Sequence, residues 1–249
     1  MKTRIILMFI ILFAITTVEA QELTVKEILN KVEKNEKISS AKSTAKQTMI
    51  TSKGKKRTLT MESYAKDFND KQLSIYTAPA RVKGDKILML NGGDDIWFYT
   101  PKTDRVRHLV SNARKQKVQG SDISYQDMEQ RDYNKDFNSK ILGIEKINGI
   151  NCYKIEAIPT ETGPDYSKLI FFVDKTKFII LKAEFYEDGD LLKTLLSSDV
   201  AKIGNYWIAK KMVMTNNQTG SKTIFEIIDT EMDVEIDDYK FTTNYLKRK

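Results

Sequence analysis

One cysteine, one histidine and four prolines stand in 249 residues, and each scarcity removes a class of explanation. Cys152 alone permits no disulfide within the chain, and with His108 alone it makes no Cys/His zinc site. After the first twenty residues there is no second long apolar run, no proline-rich linker and no low-complexity tract, so the remainder reads as one domain. Catalytic signatures are missing too: there is no G-x-S-x-G elbow, no phosphate-binding loop and no H-E-x-x-H. A Ser/His/Asp triad would rest wholly on His108. A carboxylate pair of the glycosidase kind is the one hydrolytic chemistry that the plentiful Asp and Glu leave open. The expectation is a non-enzymatic protein with no metal and no cofactor.

What is present begins with a leader. Lys2 and Arg4 precede an apolar stretch from Ile5 to Ile15, and Val18-Glu19-Ala20 supplies small residues for cleavage ahead of Gln21. Residues 1–20 therefore read as a secretory signal peptide and residues 21–249 as the mature domain. The apolar run is shorter than the roughly 20 residues that cross a bilayer. Gln21 stands where a lipoprotein would carry its acylated cysteine, so the exported chain is expected to be soluble. Lys+Arg number 41 against 34 Asp+Glu, and the leader removes two basic residues and one acidic one. In an exported protein that balance points to anionic head groups and not to nucleic acid.

Thr24 to Lys37 predicts a helix. Thr24 and Glu27 form a capping-box pattern, and Val25, Ile28, Leu29 and Val32 share one face. From about Ser43 the period changes to two. Thr58–Ala65 alternates residue by residue, and a similar strand rhythm returns in Gln72–Thr77, Lys86–Leu90, Ile96–Tyr99, Ser139–Glu145, Cys152–Ile158, Leu169–Val173, Phe178–Phe185, Leu191–Leu196, Tyr206–Thr215 and Thr223–Ile228. Short turns such as Asn148-Gly149 and Asp188-Gly189 join them into antiparallel meanders. The expected class is mainly β (α+β): about eleven strands in one antiparallel curved sheet or half-barrel. Ile87 to Leu90, Leu169 to Val173 and Phe178 to Leu181 are apolar on both faces, so both faces need cover. The N-terminal helix and a polar insertion, Asn112 to Asp136, are the available covers. Ser121 or Asp122 can start a short helix in that insertion.

Three ordered blocks carry a resemblance. They are Pro79-Ala80-Arg81-Val82-Lys83-Gly84-Asp85-Lys86-Ile87-Leu88, then Asp95-Ile96-Trp97-Phe98-Tyr99-Thr100-Pro101 with Arg105-Val106-Arg107, then Gly120-Ser121-Asp122-Ile123-Ser124-Tyr125-Gln126-Asp127-Met128. In order and spacing they resemble the outer-membrane lipoprotein-sorting family of the LolA/LolB-like superfamily of periplasmic carriers. The resemblance implies an eleven-stranded half-barrel around a helical lid, with an apolar cavity that receives lipoprotein acyl chains. It also implies a periplasmic location, an inner-membrane donor transporter and an outer-membrane acceptor. Where family members often carry consecutive basic residues after the second block, this chain has Arg107 followed by His108. A lipid-sensing or transporter-associated module is the second role the superfamily suggests, and a monomer is expected.

A carrier of this kind must shield hydrocarbon, because each acyl CH₂ exposed to water costs about 0.8 kcal/mol. Aromatic and thioether side chains adapt to irregular ligands. The cavity candidates are Met49, Met61, Met89, Trp97, Tyr99, Phe171, Val173, Ile180 and Met212, all on strands whose alternation sends some side chains to the concave face. Each also fits an ordinary core between sheet and helices. Ser121, Asp122, Tyr125 and Asp127 are lid candidates that equally fit caps and local hydrogen bonds. Arg107 is expected as the ion-pair latch. Cys152 is expected to pack as a small apolar residue. The basic clusters Lys53 to Arg57, Arg114 to Lys117 and Lys247 to Lys249 fit solvated loops or contacts with membrane phosphates.

Overall fold

Residues 22–109 and 113–248 are described by the computed structural model; the expected leader lies outside them. Helix α1 spans Val25–Glu36 and opens with the expected capping box: the Thr24 backbone N–H donates to Glu27 Oε2 at 2.8 Å and the Glu27 N–H donates to Thr24 Oγ1 at 3.3 Å. Ile28, Leu29 and Val32 form its buried face.

Thirteen strands follow. They are β1 Ser40–Ile50, β2 Lys56–Lys66, β3 Lys71–Ala78, β4 Lys86–Leu90, β5 Asp95–Thr100, β6 Arg105–Leu109, β7 Phe137–Ile147, β8 Ile150–Pro159, β9 Lys168–Asp174, β10 Ile180–Glu187, β11 Asp190–Ile203, β12 Tyr206–Asn216 and β13 Lys222–Met232. All belong to one antiparallel, curved and unclosed sheet, ordered β6-β5-β4-β3-β2-β1-β13-β12-β11-β10-β9-β8-β7. Two meanders thus meet where β1 pairs with β13, from Ala41↔Met232 to Ile50↔Lys222. The two strands beyond the expected eleven are β1, whose polar face of Lys42, Thr44 and Lys46 dilutes its apolar signal, and β6, too short and basic to show alternation.

The topology fixes the course of the insertion. β6 and β7 are opposite edges of the sheet, so the chain between them must travel from one edge to the other. It does so over the concave face, through a 3₁₀ turn at Tyr125–Met128 and helix α2, Tyr133–Asp136. Register shows which side chains meet it. Ala45, Gln47 and Met49 pair with Met61, Leu59 and Arg57, and the same parity continues through Tyr76, Met89 and Ile96. Val118 and Tyr125 of the insertion pack on this set, while α1 packs on the parallel set of the other meander, including Ile155, Phe171, Val173 and Ala183.

The convex face has a cover that periodicity does not reveal. A 3₁₀ turn at Asp238–Phe241 and helix α3, Thr243–Leu246, lay Ile236, Phe241 and Leu246 over Tyr64, Leu73, Leu88 and Tyr99. Lys86, buried, fastens this segment by donating to the carbonyls of Leu246 at 3.0 Å and Arg248 at 2.6 Å. Trp97 and Tyr99, two of the cavity candidates, belong to this outer cluster. The reason is parity: Trp97 pairs with Leu88, whereas its neighbour Ile96 pairs with Met89 on the concave side.

Candidate functional site: an apolar cavity under the insertion

A cavity of about 430 Å³ lies between α1, residues 126–131 and strands β9 to β13. That volume is in the range of pockets that hold small ligands. Phe171, Ile180, Leu195, Met212, Ile208 and Ile227 build the apolar floor, and Glu36, Gln126, Asp127, Arg131 and Tyr133 stand along the polar roof. Among the described residues no group of three His, Cys, Asp or Glu side chains is arranged to hold a metal ion.

Roof and floor are joined by a buried ion pair. Lys193 Nζ of β11 donates to Asp127 Oδ2 at 2.5 Å, with side chains only 7% and 4% exposed. The ammonium also sits 5.1 Å from the Tyr166 ring centroid and 5.2 Å from that of Phe185. Tyr166 donates its hydroxyl to Asp127 Oδ1 at 2.6 Å, and burial first, then the Asp127 charge, pushes that phenol well above its ordinary range. Asp127 closes a capping box as well, accepting from the Ser124 N–H at 2.7 Å and Oγ at 2.8 Å. Burying two charges is tolerable only with such full pairing.

Further along the roof, Arg131 donates to Glu129 Oε2 at 2.9 Å and to the Gln126 carbonyl at 2.8 Å. The β4–β5 turn approaches closely: the Gln130 N–H donates to the Gly92 carbonyl at 2.8 Å, and a Cβ on Gly93, at φ +111°, would stand 2.7 Å from Glu129 Cγ. At the cavity's other end Tyr133 donates its hydroxyl to Glu36 at 2.9 Å, and its ring meets Phe171 edge-on at 5.6 Å. Glu36 is exposed as a residue at the cavity's rim, and desolvation of its carboxyl by the neighbouring side chains outweighs the Tyr133 hydrogen bond and raises the group to about 7.

The sequence candidates divide cleanly. Phe171, Ile180 and Met212 line the cavity, and Val173 lies in the adjoining core beneath α1. Met49, Met61 and Met89 are on the concave face but lie beneath Val118 and Tyr125 of the insertion, which fill the space above them. Trp97 and Tyr99 face the opposite side. Asp127 is where a roof fastening was expected, but its basic partner is Lys193 and not Arg107, whose guanidinium lies 5.3 Å over the Phe98 ring at an exposed edge. Neither Ser121 nor Asp122 starts a helix; Ser121 instead closes the 3₁₀ turn Val118–Gly120, its N–H donating to the Val118 carbonyl at 2.9 Å. The Ser121 hydroxyl bonds within its own turn to Ile123, and Asp122 anchors the insertion to β13 by accepting from Ser221 at 2.7 Å and Thr223 at 3.1 Å. Tyr125 is buried in the core below. His108 stacks on Trp97 at 4.2 Å and pairs with Asp95 at 3.1 Å, on the outer face. Cys152 is buried among Ile147, Ile170 and Phe172, and burial raises its thiol to about 11. Lys193, missed as a site residue, does leave a signal: it interrupts the apolar run Leu191-Leu192-Lys193-Thr194-Leu195-Leu196 at the parity of Leu195.

Comparison with other proteins places this architecture. A family model described as "Uncharacterized protein" matches residues 68–248, most of the chain. The chain belongs to that family. A search among curated proteins finds no match. Among solved structures, a proposed outer-membrane lipoprotein-sorting protein domain from Vibrio parahaemolyticus is 29% identical with a TM-score of 0.83, covering 90% of this chain and 98% of its own. A DUF1329 family protein from Desulfovibrio piger is 25% identical with a TM-score of 0.82, covering 89% of this chain and 97% of its own. A LolA superfamily protein from Nitrosomonas europaea shares the fold at 22% identity and a TM-score of 0.74, covering 90% and 100%. The likeness to lipoprotein-sorting proteins read from the three blocks thus extends to the whole sheet, and the fold is LolA-like.

Proposed function

We propose that the protein is a non-enzymatic carrier that holds the acyl chains of a lipoprotein or a related amphiphile in the cavity beneath α1, in the periplasm and on the way to the outer membrane. The observation that carries this reading is the cavity itself: an apolar floor on five strands, roofed by a segment fastened through Asp127–Lys193. A core built only for stability would close such a space, since side chains in protein interiors pack to crystal-like density. Hydrocarbon entering it leaves water at about 0.8 kcal/mol per CH₂. The similarity to a lipoprotein-sorting domain at 29% identity supports the same class of cargo. The export signal read in residues 1–20 and the absence, among the described residues, of any helix long and apolar enough to cross a membrane agree with this setting.

Native mass spectrometry of the protein purified without detergent tests the reading. Co-purifying lipid is expected, together with displacement of that lipid by a fluorescent fatty-acid probe. Protein that emerges free of lipid and takes up no probe contradicts the carrier reading.

A further inference from the structure

We propose that a lysine-lined cleft next to the cavity holds the phosphate-bearing head group of an anionic lipid whose acyl chains occupy the cavity; this rests on the carrier reading and adds the chemical class of the cargo. The cleft has a volume of about 800 Å³ and is contiguous with the cavity, the two sharing Glu33, Asn35, Lys37, Phe178 and Trp207 as walls. Five lysines line it, Lys31, Lys34 and Lys37 from α1, Lys177 from the β9–β10 turn and Lys202 from β11, against the single carboxylate of Glu33. Glu33 is taken by Lys37 at 2.5 Å. Among the described residues no carboxylate stands within ion-pair distance of the other four.

An amphiphile needs the boundary between these two spaces to be amphipathic, and it is. Lys177 Nζ lies 5.0 Å over the Trp207 ring and Lys31 Nζ 5.0 Å over the Phe178 ring, so each aromatic presents an apolar edge to the cavity and a cation to the cleft. The turn bearing Lys177 and Phe178 is held in place by Asn35 Nδ2, which donates to the carbonyls of both residues at 2.6 and 3.1 Å. Ammonium groups are strongly hydrated point charges suited to phosphate oxygens.

The test compares dioleoylphosphatidylglycerol with dioleoylglycerol, which has the same chains and no charge, as competitors of an uncharged fluorescent acyl probe. Phosphatidylglycerol is expected to displace the probe at a concentration at least about tenfold lower at low ionic strength. Lys34→Gln with Lys177→Gln and Lys202→Gln should abolish that preference and leave displacement by dioleoylglycerol unchanged. The double variant Lys34→Gln with Lys202→Gln, confined to exposed residues, should weaken it part-way in protein of unaltered melting temperature. Inorganic phosphate alone should erode the advantage of phosphatidylglycerol only in large excess. Equal displacement by the two lipids, retention of the preference in the triple variant, or phosphate competing as well as the lipid would each overturn the proposal. A protein that binds the uncharged probe but shows no preference refutes the head-group site alone, whereas one that binds no acyl probe refutes the carrier reading beneath it.

Discussion

Asp127 accepts from four groups at once, the Ser124 N–H and hydroxyl, the Tyr166 hydroxyl and the Lys193 ammonium. Two of these organise the insertion itself, one ties it to the β8–β9 loop and one to β11, so a single carboxylate joins local structure to tertiary structure. Removing one partner of a buried pair leaves the other charge uncompensated. Asp127→Ala is therefore expected to destabilise the fold by about 3 kcal/mol or more, read from urea unfolding, and Asp127→Leu combined with Lys193→Met to recover part of that loss. Glu36 titrates in the opposite sense to most carboxylates. Its folded value of about 7 lies above the ordinary 4.5, so between those values the folded chain holds a proton that the unfolded chain has released. Stability from this group is thus fully present below 4.5 and falls as pH rises through about 7. A hydrocarbon ligand dries the carboxyl further, so acyl-probe affinity is expected to rise as pH falls through about 7, and Glu36→Gln to flatten that dependence.

At the scale of elements, strand parity divides residues that share a composition. Met212 faces the cavity from β12, while Trp97 faces the C-terminal segment from β5. Met212→Trp should fill the cavity, lowering acyl-probe affinity at least about tenfold with little change in melting temperature, since displacing even two CH₂ groups forfeits that much. Trp97→Ala should do the reverse, costing about 2 kcal/mol or more of stability with probe binding retained. Probe titration and thermal melts on the two variants separate these outcomes. The alternation of Thr58–Ala65 or Cys152–Ile158 was enough to place strands, because a half-buried strand writes its period directly into the sequence. Which parity faced inward was not written there. It depends on pairing such as Leu88↔Trp97 and on what lies over each face, and the outer cover comes from Asp237 to Leu246, a polar-looking tail whose few apolar residues show no strong period. Arg107 misled for a similar reason: its sequence distance to Asp127 is short, but Arg107 lies on the edge strand β6 and Asp127 stands over β11, eight strands away in the sheet, whereas Lys193 is remote in sequence and directly beneath.

For the molecule as a whole, the two meanders meeting at β1 and β13 leave one concave face and two distant edges, and the chain between those edges supplies the roof without a separate lid domain. The far end of that roof leaves space below it. Under Val118 and Tyr125 the concave face is solid core, while between α1 and residues 126–131 it is open. A photoreactive fatty acid, cross-linked to the purified protein and mapped by peptide mass spectrometry, tests this division most directly. The account predicts labelling confined to the cavity floor, at Phe171, Ile180, Met212 and their neighbours, and suppressed in Met212→Trp. Labelling concentrated at Trp97 and the C-terminal segment, or no saturable labelling at all, would contradict it.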